Sequence, residues 1–420
     1  MAFNNYKDFD KISLKINING EIYCSVLLLD NEKLILNVDF TKNKNLCKNS
    51  IEHFDLINGN ILYKNIGLTL INCDYVGSEY NNRHVILKYR VDRILYGLEL
   101  KKYKTKRINK YTVVYDGINS FTNDKPFKID YKELMYSANT NSYKIVTIDS
   151  NLFVNFSSNI SFADLNLSIS RSTFVSFEVN SKVNIEGVLN GIYKFRNFLM
   201  LILKKGISIE EQYVFIDEKK YRIFDCFVDK PYRHNKNLEE LLKFHGLKIE
   251  EIDNLSEIYE NYLLNYDKLL PVIELFYNVI HFNVPNILKF VNATTLLELY
   301  CRKYNISTAI QLTQTIKPTK KEAEYQYMIE ALINNVNEYY QLDSLKISAI
   351  SKNIKDARVQ YIHYLEGKHK FELTSSQQFW YSSFIEDLVL LNIYKLLKLD
   401  ITKYSDISFL NFYYSINDLI

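Results

Sequence analysis

Ile12-Ser13-Leu14-Lys15-Ile16 alternates apolar and polar side chains, and Asn19-Gly20 follows three residues on. Alternation with a period of two is the pattern of a half-buried strand. Asn-Gly is a strong hairpin signal because both residues tolerate positive φ. Further out, apolar runs at 22–29 and 34–40 flank the polar Asp30-Asn31-Glu32-Lys33. Residues 84–89 and 111–115 are further β-rich runs, and Asn58-Gly59-Asn60 and Asp116-Gly117 read as turns between strands. Many short strands with polar turns predict an antiparallel sandwich or barrel-like region over residues 1–180.

The pattern then changes. A helix is expected over about 183–203, closed by Lys204-Lys205-Gly206, which supplies cations and a helix-ending glycine. Runs at 212–216 and 221–228 flank Asp217-Glu218-Lys219-Lys220 and read as a hairpin. Residues 181–250 therefore form an α+β connector, with its boundary in the polar 229–237 stretch. From 251 to 420 the apolar period is helical. The segments are 258–282 (with Pro271 expected to kink or split it), 287–304, 320–340, 345–366 and 375–399. In the third, Tyr325, Ile329, Leu332, Val336 and Tyr339 share one face. Ser375-x-x-Gln378 is a capping-box pattern at the start of the last. The fold class is α+β and multidomain: a β-rich region followed by an all-α helical bundle.

The chain has 420 residues, of which 47% are hydrophobic and 14% aromatic. So much apolar and aromatic surface can bury large cores, which excludes global disorder. Net charge is only +3, so an attraction for nucleic acid must come from a local patch. The five cysteines, Cys24, Cys47, Cys73, Cys226 and Cys301, are scattered without a C-x-x-C pair. That argues against a disulfide scaffold or structural zinc and fits a reducing, cytoplasmic setting. No apolar stretch reaches the ~18–20 residues of a membrane span, so no membrane partner is expected.

Seven histidines occur without H-E-x-x-H or a His/Asp cluster, and no metal or cofactor is expected. G-x-S-x-G, the Walker lysine loop and G-x-G-x-x-G are also missing. What remains is Arg358-x4-His363, in a stretch where Lys346, Lys352, Lys355, Lys368 and Lys370 outnumber Asp356 and Glu366. The spacing alone is weak: ten arginines and seven histidines produce it by chance about 0.17 times. Five helical steps also leave the two side chains roughly 140° apart, so convergence needs the reach of the Arg side chain, a helix distortion or a second subunit. The chemistry that suits the pair is metal-free RNA cleavage. An imidazole near neutral pKa moves a proton, and a guanidinium holds the phosphate, while RNA supplies its own 2′-OH nucleophile. The products would be a 2′,3′-cyclic phosphate and a 5′-hydroxyl. Tyr361 and Tyr364 flank the pair as candidates for stacking bases or orienting phosphate, and Lys352, Lys355 and Lys368 as contacts to the RNA backbone. The competing reading is a surface arginine beside a partly buried histidine on an amphipathic helix.

The run Ala357-Arg358-Val359-Gln360-Tyr361-Ile362-His363-Tyr364, together with Leu296-Leu297-Glu298 and Arg302, resembles the ApeA-like branch of the HEPN superfamily. That branch joins a β-rich N-terminal region to a HEPN helical bundle. The resemblance implies an endoribonuclease of antiphage, abortive-infection defence, with tRNA among its targets and a phage-derived trigger. Arg358 would bind phosphate and His363 would act as acid and base. The site would be composite in a homodimer or higher homo-oligomer. Glu298 is expected either to brace Arg358 or to serve only as an i, i+4 partner for Arg302. The family usually has a polar residue after the motif arginine. Here it is Val359, which leaves Gln360 to take the polar role, or else implies a weakened scaffold that binds RNA or a protein partner. His369 reads as a solvated helix-end residue, His281 as a core histidine, the 317–321 run as a solvated helix start, and Trp380 as core packing.

Overall fold

The computed structural model describes residues 11–30, 33–41, 52–80, 84–100, 108–116, 118–122, 127–130, 135–138, 142–163, 166–204, 206–225, 247, 249, 252–281, 284–304, 306, 321–363 and 373–400. The chain divides into two compact units. The first comprises Met1–Asn119, Asp124–Arg196 and Ile207–Pro231. The second comprises Ser120–Asn123, Asn197–Gly206 and Tyr232–Ile420.

In the first unit, strands β1 (Lys11–Ile18), β2 (Glu21–Asp30), β3 (Lys33–Asp39), β4 (His53–Ile61), β5 (Ile66–Tyr80) and β6 (Val85–Tyr96) pair in the order β6-β3-β2-β1-β4-β5. A further β5–β6 pairing closes them into a six-stranded antiparallel barrel. Burial alternates at every residue of β1, as its sequence pattern predicts. Asn19 and Gly20 have φ of 55° and 90°, the two left-handed positions of a two-residue hairpin. Leu14, Leu27, Leu36 and Leu68 are fully buried, so the barrel interior is filled by side chains.

The same sheet continues past β6 through β14 (Lys219–Asp225), β13 (Ile209–Ile216), β7 (Ile108–Tyr115), β12 (Asn166–Val183), β11 (Ser150–Ala163) and β10 (Tyr143–Val146). Helix α1 (Ile118–Thr122) and the separate hairpin β8 (Phe127–Asp130) and β9 (Met135–Ala138) interrupt the chain order. Helix α2 (Ile185–Leu203) covers one face of this extension. Tyr115 donates its hydroxyl to Ile192 O at 2.9 Å, and Phe195 packs edge-on against Phe177. A Cβ on Gly191 would come within 2.2 Å of the Tyr111 hydroxyl oxygen, so only glycine lets the helix approach this closely.

The second unit is helical: α3 (Leu255–His281), α4 (Asn286–Lys303), α5 (Lys321–Asn335), α6 (Asn337–Tyr340), α7 (Ser344–His363) and α8 (Ser375–Leu396). Helix α4 packs on α3, α7 and α8, and α5 packs on α7. Among the described residues no helix is long and apolar enough to cross a membrane.

Several local expectations are corrected. Asn58-Gly59-Asn60 is not a turn but lies inside β4. A Cβ at Gly59 would meet Ile16 Cγ2 at 3.0 Å, so the glycine serves close strand approach. Helix α2 starts at Ile185, with the Asn184 side chain accepting from Gly187 N–H at 2.9 Å. Pro271 neither splits nor ends α3, which runs unbroken for 27 residues. The 320–340 segment is broken at Val336, and Tyr340 rather than Tyr339 is buried. The capping box sits one residue earlier: Thr374 is the N-cap and Gln377 its reciprocal partner. Trp380 is 38% exposed and so is not core packing.

Candidate functional site

Helix α7 begins where the Asp343 carboxylate accepts from Lys346 N–H at 2.8 Å, which satisfies an orphan donor and favours the positive end of the helix. Ile347, Ile350, Ser351, Ile354 and Ala357 recur at helical spacing and are all buried. Seating that stripe leaves Arg358 at its margin, facing α4 and α5.

Arg358 is held on two sides. Its Nη2 donates to Glu298 Oε2 of α4, and its guanidinium carbon lies 4.3 Å from the centre of the Tyr325 ring of α5. The side chain keeps about a fifth of its surface exposed, and its Nε has no hydrogen-bond partner among the described residues. Glu298 performs both expected roles at once. Its Oε1 accepts from Arg302 Nε at 2.8 Å and from Arg302 Nη2 at 2.6 Å, while Oε2 serves Arg358. One carboxylate thus bridges two guanidinium groups, and Glu324 also acts electrostatically on Arg302. The hydrogen bonds that Arg302 donates to Glu298 hold its pKa above the ordinary value. Burial drives the Tyr325 hydroxyl upward despite the nearby cation, and it donates to Thr294 O at 3.0 Å.

Tyr361 is tied down. Its hydroxyl accepts from Leu373 N–H at 3.0 Å and from Gln378 Nε2 at 3.0 Å, and its ring meets Phe290 edge-on at 5.8 Å. Gln378, read from sequence as a cap, instead joins α8 to α7. Gln360 has a buried Oε1 without a hydrogen-bond partner among the described residues. Lys352 is exposed, and Lys355 pairs with Asp356 at 2.9 Å. His363 closes α7, five residues from Arg358 on the same helix; its side chain lies outside what is described. Tyr364, Lys368, His369 and residues 317–320 also lie outside, as does the side chain of His281.

The structure therefore brings together Arg358 and Glu298, and adds Arg302 and Tyr325. Sequence reasoning placed Tyr325 on the core face. The stripe carries a tyrosine at each end, Tyr325 and Tyr339, and nothing local distinguishes the one that meets the guanidinium. Among the described residues no group of three or more His, Cys, Asp or Glu side chains is arranged to hold a metal ion.

Comparison with curated proteins and with solved structures finds no significant match. Comparison with protein families finds one match, ApeA N-terminal domain 1, over residues 14–262. The match takes in the closed barrel and the sheet extension, and stops before α4, α5 and α7, which carry the candidate site. Since it spans more than half of the 420 residues, the chain belongs to the ApeA family.

Proposed function

We propose that the chain is a metal-independent endoribonuclease of antiphage defence, with Arg358 as phosphate ligand and His363 as acid and base. The observation that carries this reading is the seating of Arg358 on the Tyr325 ring beside a single carboxylate shared with Arg302. A guanidinium fixed in this way keeps donors for a phosphate. In the reaction His363 takes the 2′-OH proton as the 2′-oxygen attacks phosphorus. The P–O5′ bond breaks, and the 5′-oxygen leaves protonated. Lys352 and Lys355 extend the positive track along α7. By resemblance, tRNA is a target, a second copy of the chain completes the site, and a phage product acts as trigger.

Purified protein is incubated with total tRNA in EDTA, and the ends of the products are mapped. The expected outcome is cleavage with cyclic-phosphate and 5′-hydroxyl ends, lost in Arg358→Ala and in His363→Ala while each variant remains folded by circular dichroism. Wild-type cutting by either variant, or cutting that requires Mg²⁺, refutes these roles. A folded wild-type chain that binds RNA without cutting it supports the scaffold reading, to which Val359 after the motif arginine points.

A further inference from the structure

The face of the sheet extension opposite α2 carries a pattern the helical site does not use. Strand register places Lys144, Phe153, Ser176, Thr112, Tyr213 and Arg222 directly opposite one another, one per strand, from β10 to β14. Two residues along each strand lies a parallel row in which Glu178 opposes Lys110 and Phe215 opposes Lys220. Such neighbours share one side of the pleat.

On this side aromatic rings and cations come in pairs. Lys144 lies 5.7 Å from the Phe153 ring centre, Lys110 5.9 Å from Phe215, Lys220 3.8 Å from Tyr213 and Arg222 5.6 Å from Tyr213. The rings of Phe153, Tyr213 and Phe215 are all half-buried, with Lys144 and Lys220 exposed beside them. Four cations stand against two carboxylates: Glu178 is held by Lys110 at 2.9 Å and Glu211 by Arg222 at 3.3 Å. Lys144 and Lys220 make no ion pair among the described residues. Between the Phe153 and Tyr213 rings the floor drops to two small residues, Ser176 and Thr112. Both are buried, Thr112 at 7% and Ser176 at 8% exposure.

We propose that this face binds single-stranded nucleic acid. Bases stack on Tyr213, Phe215 and Phe153, whose π-faces accept any base. Lys220 and Lys144, long and unpaired, swing from ring to phosphate as a base takes the ring. Alternate residues are ~6.7 Å apart along a strand and adjacent strands ~4.8 Å apart, so Tyr213 and Phe215 can take successive nucleotides and Phe153, three strands away, takes one about 14 Å further on. A protein partner fits less well, because the face presents separated rings under lysines rather than a continuous apolar patch. The proposal does not rest on the nuclease reading, since all its residues belong to the first compact unit.

The test uses the full chain carrying Arg358→Ala, so that no cleavage intervenes, and fluorescence anisotropy with labelled uridine and thymidine oligonucleotides. Binding to at least one is expected, and it weakens as salt rises. Tyr213→Ala with Phe215→Ala should weaken it about tenfold or more, and Lys220→Glu should weaken it and flatten the salt dependence. Comparing the uridine and thymidine arms shows whether RNA or DNA is preferred. Lys220 is exposed, so its variant reports even if the double aromatic variant fails to fold; Tyr213→Phe should bind as wild type. Failure of the parent chain to bind either oligonucleotide, or wild-type binding by Lys220→Glu and by a folded double variant, overturns the proposal.

Discussion

Glu298 is the residue on which the two arginines of the helical unit converge, and its removal should be felt unequally. Arg358 is about four-fifths covered, whereas the side chain of Arg302 is 61% exposed. Glu298→Ala leaves a mostly covered guanidinium without its anion, and a charge-assisted bond of this kind contributes about 2 kcal/mol. Arg302→Ala removes only a solvent-screened i, i+4 contact and should cost less than ~0.5 kcal/mol. Urea midpoints of the two variants against the parent check this; equal losses would show that Glu298 does not brace Arg358. The pairing was half legible from sequence. The spacing of Glu298 and Arg302 declares itself on any helix, while the 60-residue jump to Arg358 depends on how α4 and α7 pack. The Tyr325 ring under Arg358 was hidden for the same reason, since a stripe position does not say which neighbour lies above it.

Single helices show where local signals suffice. Thr374 and Gln377 close a complete capping box on α8, so Thr374→Ala should destabilise the second unit by about 1 kcal/mol, seen as a lower urea midpoint. Ser375→Ala, at the position the sequence pattern favours, should cost less than the Thr374 change. Two overlapping Ser/Thr-x-x-Gln frames start at Thr374 and Ser375, and sequence alone does not choose between them. The structure does: Gln378 is engaged by Tyr361 and Leu373, which leaves Gln377 to cap. The strand β1 was fully legible because alternation over eight residues has one reading. Gly59 was misread because a glycine between two asparagines carries the same local signal in a turn and in a strand that needs close approach. Pro271 does not split its helix, because a helix embedded in tertiary contacts tolerates a proline that would break an isolated one.

At the scale of the molecule, stability should depend on pH through the outside of the barrel. His53 Nδ1 lies 2.7 Å from Asp74 and Nε2 lies 3.2 Å from Asp55; Arg90 also contacts Asp74 at 2.7 Å. The hydrogen bond with Asp74 raises the His53 pKa above its ordinary 6.5, helped by Asp55 and outweighing partial burial. The folded state therefore binds this proton more tightly than the unfolded chain. Its contribution is fully present below pH 6.5 and is lost as pH rises through the raised value. The urea midpoint of the parent should fall over that window relative to His53→Gln; parallel profiles would show that the ring titrates alike in both states. The barrel-or-sandwich alternative was open in the sequence because closure depends on β3 meeting β6, with Leu34 opposite Val91, a pairing that no short-range pattern encodes.

That closure has a consequence for solubility. A twelve-stranded open sheet has two rims, each a row of unpaired amides and carbonyls on which a neighbouring molecule can template. Folding β5 back onto β6 removes one rim, so that both edges of β5 are paired, to β4 and to β6. A rim closed in this way offers no row of free amides to a neighbour, so the barrel strands can exist at high concentration without polymerising through β5.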